Sequence, residues 1–363
     1  MRGNNRAIGA RLFAHPGNLP EGAMISIETA MHRAITLSEI ALGLTSPNPI
    51  VGAVIINESG EIIAEGYHKS AGSEHAEIVA LQSAGERARE ATLVVTLEPC
   101  NHSGKTPPCT ETIIKSGLKR VIYGVSDPNA IAAGGAAALR AAGIEVSEGI
   151  LAEEVELSNR AWLKKIRNNR PFFTLKIAMS ADGRVAAPDG SSKWITSKES
   201  RLDVAQLRSE CDAILTGTGT VLADDPLLTV RGVSRANANF APVRIILGER
   251  VIPKKFNVFN EDAETIQVIN QDLLGIVEMG RSRGWNRILI EAGPRLSSAF
   301  MKANLIDEVI IYQAPSFIGG ANSALDDIGV KELADKKEFY IADVRRIPGD
   351  VENLRIQLLA RSA

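Results

Sequence analysis

The chain has 363 residues, of which 45% are hydrophobic and 23% are charged, and its formal net charge at pH 7 is −2. This length suits two domains that each bury a core. The near-neutral charge gives no electrostatic reason to expect nucleic acid or a membrane surface as a partner, and no apolar run is long enough to span a bilayer. Three cysteines are too few for a disulfide framework, which favours a reducing cytoplasm.

The first residues are rich in arginine and contain no acidic residue before Glu21. Such a composition can mark a targeting segment. We favour a disordered tail over residues 1–24, or a start at Met24, because helical patterning begins only at Ile27.

Residues 25–150 alternate between helical and strand patterns, which predicts a mixed sheet covered by helices. The predicted elements are a helix over 28–44, a hairpin of strands 50–57 and 62–66, a helix over 75–84, a strand over 92–97, a helix over 110–116 and a strand over 120–125. Residues 151–170 are strongly charged and are predicted to form a connecting helix that ends before Pro171.

The second half, residues 171–363, shares no motif with the first and is predicted to be a different domain. Its predicted strands lie at 172–179, 213–216, 243–247, 287–291 and 308–312, and its predicted helices at 198–208 and 294–303. The polar stretch 231–242 is predicted to be a loop.

The strongest chemical signal is a His-x-Glu segment, His75 and Glu77, followed by two Pro-Cys pairs that end at Cys100 and Cys109. Catalytic zinc takes three nitrogen or sulfur ligands from protein and leaves a fourth position for water, and His75, Cys100 and Cys109 supply that set. Glu77 is the candidate acid–base residue for the activated water. Side chains two residues apart on a helix point in nearly opposite directions, so His75 and Glu77 can face the same zinc site only if they lie at the N-terminus of a helix. Both cysteines are also predicted near helix starts, where the helix dipole favours the thiolate.

This order of residues matches the signature of zinc nucleobase deaminases, except that eight residues separate the cysteines instead of two. The longer loop contains His102 and Lys105, which together with Thr106 can hydrogen-bond a phosphate. Taken alone, Asn48 before a proline would be a turn residue and His68 a surface histidine.

Several segments of the first half resemble the deaminase half of the bifunctional riboflavin-biosynthesis deaminase–reductase family, over about residues 27–149. They are residues 46–54, 66–68, 92–100, 104–109 and 126–129. The resemblance implies that Asn48 holds the pyrimidine edge and that His68, His102 and Lys105 hold the ribose phosphate. Residues 130–135 depart from the family pattern, because they are one residue short and lack its proline and its cation.

In the second half, Gly217 and Gly219 follow a predicted strand without the spacing of a Rossmann fingerprint, and alone they could form a tight turn. Gly293 and Pro294 open a predicted helix, which is a natural site for a cofactor phosphate. With residues 176–184 and 192–196, these segments resemble the reductase half of the same family, whose fold is similar to dihydrofolate reductase.

This second resemblance implies two sets of contacts. NADPH would contact Ala178, Trp194, Thr220, Asp224, Gly293, Pro294, Arg295, Leu296, Ser297, Ser298 and Ala299. The substrate would contact Ser192, Arg208, Leu228, Arg231 and Glu291. The two arginines suit this role because a guanidinium binds oxyanions bidentately.

The sequence therefore predicts an α/β protein in which a cytidine-deaminase-like α/β/α domain precedes a dihydrofolate-reductase-like α/β domain. The cofactors would be Zn²⁺ and NADPH, and a phosphorylated pyrimidine ribosylamine would be deaminated and then reduced from ribosyl to ribityl. We expect a homo-oligomer in the cytoplasm, with no nucleic-acid or membrane partner.

Two other functions remain open at this point. One is a nucleic-acid base deaminase with an accessory domain, which would act on single-stranded oligonucleotides. The other is a structural zinc domain fused to a regulatory nucleotide-binding module, in which a fourth ligand such as His102 closes the metal site.

Overall fold

The computed structural model describes residues 24–102, 107–232 and 241–361. The described chain forms two compact units, of which the first ends at Arg170 and the second begins at Pro171. Among the helices described, none is both long enough and apolar enough to cross a membrane.

The first unit is built on one mixed sheet. Its strands are β1 (Gly52–Ile56), β2 (Ile62–Tyr67), β3 (Thr92–Leu97), β4 (Arg120–Val125) and β5 (Glu145–Glu148). Its helices are α1 (Ile27–Glu39), α2 (Ala76–Ala84), α3 (Cys109–Ser116), α4 (Gly135–Ala141), α5 (Ala152–Ser158) and α6 (Arg160–Asn168). The strand order is β2-β1-β3-β4-β5; β1 is antiparallel to both neighbours, and β3, β4 and β5 are parallel.

Helices cover both faces of this sheet, and two glycines show how closely they approach. A Cβ at Gly52 would lie 2.0 Å from the carbonyl oxygen of Ala34 in α1, and one at Gly66 would lie 2.4 Å from that of Ala76 in α2. Gly66 pairs with Ala53, the residue after Gly52, so the two glycines face opposite sides of the sheet. The predicted α/β/α layering is thereby confirmed.

The predicted strands and helices of the first unit are confirmed, although several boundaries differ. The first helix ends at Glu39 rather than at residue 44, because the chain turns there and passes Gly43 with a φ of 75°. The sequence patterns did not predict α4 or β5, which are short and have few fully buried residues.

The segment 151–170, predicted as one connecting helix, is two helices that belong to the core of the first unit. The helix is interrupted at Asn159, which separates α5 from α6. Val155, Trp162 and Leu163 are buried in the same hydrophobic cluster as the sheet. These residues recur at helical spacing, and their burial explains why this charged segment packs on the sheet.

The second unit is built on an eight-stranded sheet. Its strands are β6 (Phe172–Met179), β7 (Ala213–Gly217), β8 (Val243–Leu247), β9 (Thr265–Val268), β10 (Arg287–Ile290), β11 (Glu308–Gln313), β12 (Phe339–Ile347) and β13 (Asn353–Ala360). Its helices are α7 (Lys198–Ser209), α8 (Thr218–Asp224), α9 (Leu273–Ser282) and α10 (Pro294–Lys302). The strand order is β12-β13-β11-β6-β10-β7-β8-β9.

Five neighbouring strand pairs in this sheet are parallel, from β11 through β6, β10, β7 and β8 to β9, whereas β13 is antiparallel to β11 and β12. The strands predicted in this half are confirmed, and β9, β12 and β13 come in addition. Parallel strands end at a common edge of a sheet, where ligands bind in open α/β folds. Most of the predicted loop 231–242 lies outside the described residues.

Candidate active sites

The first site gathers three potential metal ligands from separate elements. His75 immediately precedes α2, Cys109 is the first residue of α3, and Cys100 lies in the loop after β3. His75 Nδ1 lies 3.2 Å from Cys109 Sγ and 3.5 Å from Cys100 Sγ, and the three ligand atoms all lie within 4.8 Å of one another. His75 and Cys109 lie at helix starts, as predicted; Cys100 itself is in a loop, and its carbonyl oxygen accepts a hydrogen bond from the backbone N–H of Thr110 in the first turn of α3 at 3.3 Å.

The distances among these three side chains fit a zinc ion. Zinc–sulfur and zinc–nitrogen bonds in tetrahedral geometry separate ligand nitrogen and sulfur atoms by roughly 3.6 Å. Hydrogen bonding between the two thiols, assisted at Cys100 by His75, lowers the pKa of Cys100 and raises that of Cys109, so Cys100 is the first of the pair to become the thiolate that metals bind. His102 is not a member of this cluster of described residues, which therefore offers three ligands rather than four.

Glu77 lies in the first turn of α2, two residues after His75, and only 4% of its surface is exposed. Burial raises the pKa of its carboxyl group, although the nearby His75 opposes that shift. A carboxyl group with a raised pKa can both accept and return a proton near neutral pH.

Of these groups, His75, Glu77 and Cys100 line a cavity of about 580 Å³ in the first unit, whereas Cys109 lies behind them and does not line it. Of the predicted residues, it is lined by Asn48, His68, His75, Glu77, Cys100 and His102. The predicted phosphate contact Lys105 lies outside the described residues. Sequence reasoning missed the cavity walls contributed by Asp127, Asn129, Trp162, Lys165 and Ile166.

His68 differs from the surface histidine that its sequence context suggests. Only 3% of it is exposed, its Nδ1 lies 3.0 Å from the carbonyl oxygen of Glu74, and its Nε2 lies 3.2 Å from Asn48 Nδ2. Burial lowers the pKa of its imidazole, which favours the neutral ring. With a partner at each ring nitrogen, His68 is better suited to orienting Asn48 than to binding a phosphate.

The loop that departs from the family pattern is anchored despite its altered sequence. The buried Glu98 carboxylate accepts hydrogen bonds from the backbone amides of Asp127 at 3.2 Å and Ala136 at 2.9 Å. The amide of Asn101 donates to the carbonyl oxygen of Ala132 at 3.0 Å. The loop is thereby fixed beside Cys100 without the missing proline and cation. Glu98 lies in the motif of residues 92–100, but the sequence assigned it no role of its own.

The second unit contains a separate cleft of about 820 Å³. The predicted residues that line it are Ala178, Ser192, Trp194, Arg208, Thr220, Asp224, Leu228, Arg231, Glu291, Gly293, Pro294 and Ser297. This cleft adjoins the carboxyl ends of β6, β7 and β10, as expected for a ligand site on parallel strands.

Four residues predicted to contact NADPH do not line this cleft: Arg295, Leu296, Ser298 and Ala299. Leu296 packs against the hydrophobic core, and the buried Ser298 hydroxyl accepts a hydrogen bond from the amide of Asp326 at 2.8 Å. Arg295 is exposed. The turn was predicted as a block, but successive residues of a helix point in different directions, so only part of it faces the cleft.

A buried ionic cluster lies in the cleft around Glu291. Arg208 Nε donates to Glu291 Oε1 at 2.5 Å, and Lys176 Nζ lies 3.1 Å from Glu291 Oε2. Burial alone would raise the pKa of Glu291, but the two cations lower it to about 2. Lys176 was not singled out from the sequence, where one lysine in a strand carries no signal of its own.

Trp194 lies at the cleft with 72% of its surface exposed. Its φ of 72° is in the left-handed region, and the Arg201 guanidinium lies 4.2 Å from the centre of its ring. Non-glycine residues adopt this conformation at an energetic cost, and such strain is concentrated at functional sites. The cation–π contact helps to hold the exposed ring in this position.

Comparisons with known proteins match both units of the chain. A family profile described as "Cytidine and deoxycytidylate deaminase zinc-binding region" matches residues 24–125, and "RibD C-terminal domain" matches residues 171–351. "Riboflavin biosynthesis protein RibD" of Mycobacterium tuberculosis is 44% identical over 337 residues, which cover 93% of this chain and 98% of that protein. The Escherichia coli protein of the same name is 40% identical, covering 89% of this chain and 97% of its own.

The chain belongs to the bifunctional deaminase–reductase family of riboflavin biosynthesis. Solved structures agree: Acinetobacter baumannii RibD superposes with a TM-score of 0.83 at 35% identity, covering 93% of this chain and 99% of that one. A Thermotoga maritima structure, described as a diaminohydroxyphosphoribosylaminopyrimidine deaminase/5-amino-6-(5-phosphoribosylamino)uracil reductase, gives a TM-score of 0.82 at 36% identity, with coverages of 92% and 99%.

Membership in this family confirms three predictions. The first unit has the cytidine-deaminase-like fold and the second has the reductase fold similar to dihydrofolate reductase. The protein is a bifunctional enzyme of riboflavin biosynthesis, with a zinc-dependent deaminase and an NADPH-dependent reductase. Its cofactors are accordingly zinc and NADPH.

Proposed function

We propose that the first unit converts 2,5-diamino-6-(5-phosphoribosylamino)pyrimidin-4(3H)-one to 5-amino-6-(5-phosphoribosylamino)uracil. The second unit then reduces the ribosyl group of this product to ribityl. The observation that carries the proposal is the cluster of His75, Cys100 and Cys109, of which His75 and Cys100 line a cavity together with Glu77 and Asn48. The name of the Thermotoga maritima relative, which gives the same two activities, supports it.

In the deaminase, His75, Cys100 and Cys109 would hold zinc, which when bound supplies an activated water near neutral pH. The Glu77 carboxylate would carry a proton from the attacking water to the departing amino group, a role that its raised pKa suits. The Asn48 amide reads the edge of the pyrimidine, with His68 fixing its orientation. His102 and Lys105 bind the ribose phosphate.

In the reductase, NADPH when bound supplies the hydride, and the protein contributes orientation and proton transfer. The cofactor would lie against Ala178, Trp194, Thr220, Asp224, Gly293, Pro294 and Ser297, and the substrate against Ser192, Arg208, Leu228, Arg231 and Glu291. Glu291 stays ionised between Arg208 and Lys176 and can accept hydrogen bonds from ribose hydroxyls. Lys176 Nζ lies 3.1 Å from Glu291 Oε2 at the same place in the cleft.

The proposal extends to organisation and partners. We assign the deaminase to residues 25–150 together with the helices of 151–170, and the reductase to residues 171–363. The net charge of −2 supports a small phosphorylated substrate rather than nucleic acid. A homo-oligomer in the cytoplasm is part of the same proposal, and sedimentation of the purified protein would give its oligomeric state.

The decisive experiment incubates the pure zinc-loaded protein with the diaminopyrimidinone phosphate, with and without NADPH. We expect ammonia release in both cases, and NADPH oxidation only as the deaminated product accumulates. A single-stranded oligonucleotide serves as the control substrate and should release no ammonia. NADPH oxidation without ammonia release, or deamination of the oligonucleotide alone, would contradict the proposal.

A further inference from the structure

The helix α6 forms part of the wall of the deaminase cavity, although its sequence is typical of a connection. Trp162, Lys165 and Ile166 all line the cavity that contains His75 and Glu77. Trp162 is 5% exposed and belongs to the core of the first unit, so the helix is firmly seated against the sheet. Because Lys165 lies on the same helix, the packing of α6 against the sheet also fixes the position of Lys165 beside the cavity.

Two side chains from this region hold the segment that carries Asn48. Asn159 accepts a hydrogen bond from the amide of Ile50 at 3.2 Å and donates to the carbonyl oxygen of the same residue at 2.6 Å. The Lys165 ammonium donates to the carbonyl oxygen of Pro47 at 2.7 Å. The backbone is thus fixed immediately before Asn48 and again two residues after it.

Asn48 is also held within its own turn. Its backbone N–H donates to the carbonyl oxygen of Thr45 at 2.7 Å, and the Thr45 hydroxyl donates to the backbone carbonyl oxygen of Asn48 at 3.1 Å. The side-chain Nδ2 then meets His68 Nε2 at 3.2 Å. A shift of the Pro47 carbonyl would rotate this turn and move the side-chain amide of Asn48 away from both His68 and the cavity.

We infer that Lys165 is a positioning residue of the deaminase, which holds the Pro47 carbonyl and thereby fixes the Asn48 amide for the pyrimidine. The inference deepens the proposed deaminase function and rests on it. A hydrogen bond from an ammonium group is stronger than one between neutral groups, and a lysine stem is long enough to extend from α6 to this turn. The segment after residue 150 is on this basis part of the deaminase site.

The test uses the full-length protein and substitutes Lys165→Met, which keeps the apolar stem and removes the donor. We expect a roughly 10-fold loss of kcat/KM for ammonia release, the size expected for one charge-assisted hydrogen bond. Lys165→Arg, which keeps a cationic donor, should retain most of the activity. Lys164→Met is the matched control, because Lys164 is on the same helix but does not line the cavity, and it should change kcat/KM less than about 2-fold.

The reductase activity of each variant, measured on the already deaminated substrate, reports whether the protein is otherwise intact and should be unchanged. A positioning role also predicts that Lys165→Met costs the same factor on the substrate and on its analogue without phosphate. In an Asn48→Ala background, Lys165→Met should cost less than about 2-fold, because residues that act through one another are not additive.

Wild-type activity of Lys165→Met would overturn the inference, and so would an undiminished loss in the Asn48→Ala background. A loss restricted to the phosphorylated substrate would likewise overturn it, because Lys165 would then contact the phosphate directly. Full activity of Asn48→Ala would instead contradict the proposed role of Asn48, a failure that is distinguishable from the others.

Discussion

The two active sites of this protein differ in how their residues are distributed along the chain. The deaminase ligands and the acid–base residue lie from His75 to Cys109, whereas the cleft of the reductase draws on residues from Lys176 in β6 to Ala324, beyond α10. A metal ion demands a few ligand types at fixed distances, which leaves a compact motif in the sequence. A dinucleotide cofactor needs an extended surface, and many residue types can supply it.

Each site also contains a buried carboxyl group, and the pKa values of the two groups are shifted in opposite directions. Burial raises the pKa of Glu77, and also acts to raise that of Glu291. Around Glu291, however, Arg208 and Lys176 outweigh burial and lower the pKa to about 2. One carboxyl group can therefore carry a proton during the reaction, and the other remains an anion that binds and orients.

The largest effect that separates the two sites is expected for Glu77→Gln. This substitution removes the proton carrier but none of the three proposed zinc ligands, so ammonia release should fall by about 10²–10⁴-fold while zinc content stays near that of the wild type. Cys109→Ser should lose both zinc and deamination. Zinc analysis and an ammonia assay measure the two outcomes.

Both variants should still oxidise NADPH when they are given the deaminated substrate, because the reductase cleft lies in the other unit. Substantial ammonia release by Glu77→Gln would show that another group carries the proton. Loss of the reductase activity would show that the sites are coupled.

The complementary change in the reductase is Glu291→Gln. It leaves Arg208 and Lys176 without their anionic partner in a buried place, and we expect about a 100-fold loss of reductase kcat/KM with deamination preserved. An unchanged reductase kcat/KM would show that Glu291 does not contribute to substrate binding.

The same carboxylate gives a pH prediction. Because the pKa of Glu291 is lowered to about 2 in the folded protein, its contribution to the free energy of unfolding is present above its unfolded pKa of about 4.3. That contribution is lost as the pH falls towards 2. The difference in unfolding free energy between the wild type and Glu291→Gln, measured in urea, should therefore shrink from pH 5 to pH 3. A difference in unfolding free energy that stays constant from pH 5 to pH 3 would contradict the lowered pKa of Glu291.

A smaller deaminase effect is expected for Lys105→Ala, in the loop between the two cysteines. If Lys105 binds the substrate phosphate, its removal costs one charge-assisted hydrogen bond, or roughly a 10- to 100-fold loss of deaminase kcat/KM. The analogue without phosphate should be a poor substrate already and become hardly worse. Equal losses on both substrates would mean that the change disturbs the zinc ligands on either side of the loop.

Much of this contrast could be predicted from the sequence, and the failures have physical causes. The three candidate zinc ligands could be predicted because their spacing reports directly on chemistry, but the packing of α5 and α6 on the sheet was missed because charged residues mask the apolar face formed by Val155, Trp162 and Leu163. The strands β12 and β13 were missed because polar residues such as Arg355 interrupt their apolar alternation. No local pattern reports a hydrogen bond between Lys165 and Pro47, which are 118 positions apart.

The smallest predicted effect tests which residues of the α10 turn meet the cofactor. Arg295 is exposed and does not line the cleft, so Arg295→Ala should change the KM for NADPH less than about 3-fold, as for an ordinary surface substitution. Trp194→Ala is the matched comparison in the cleft: it removes an exposed aromatic surface held by Arg201 and should raise this KM by about 10-fold. Titration of each variant with NADPH gives both values. A larger effect at Arg295 than at Trp194 would mean that the cofactor extends past the cleft along α10, and that the whole turn binds it as a block.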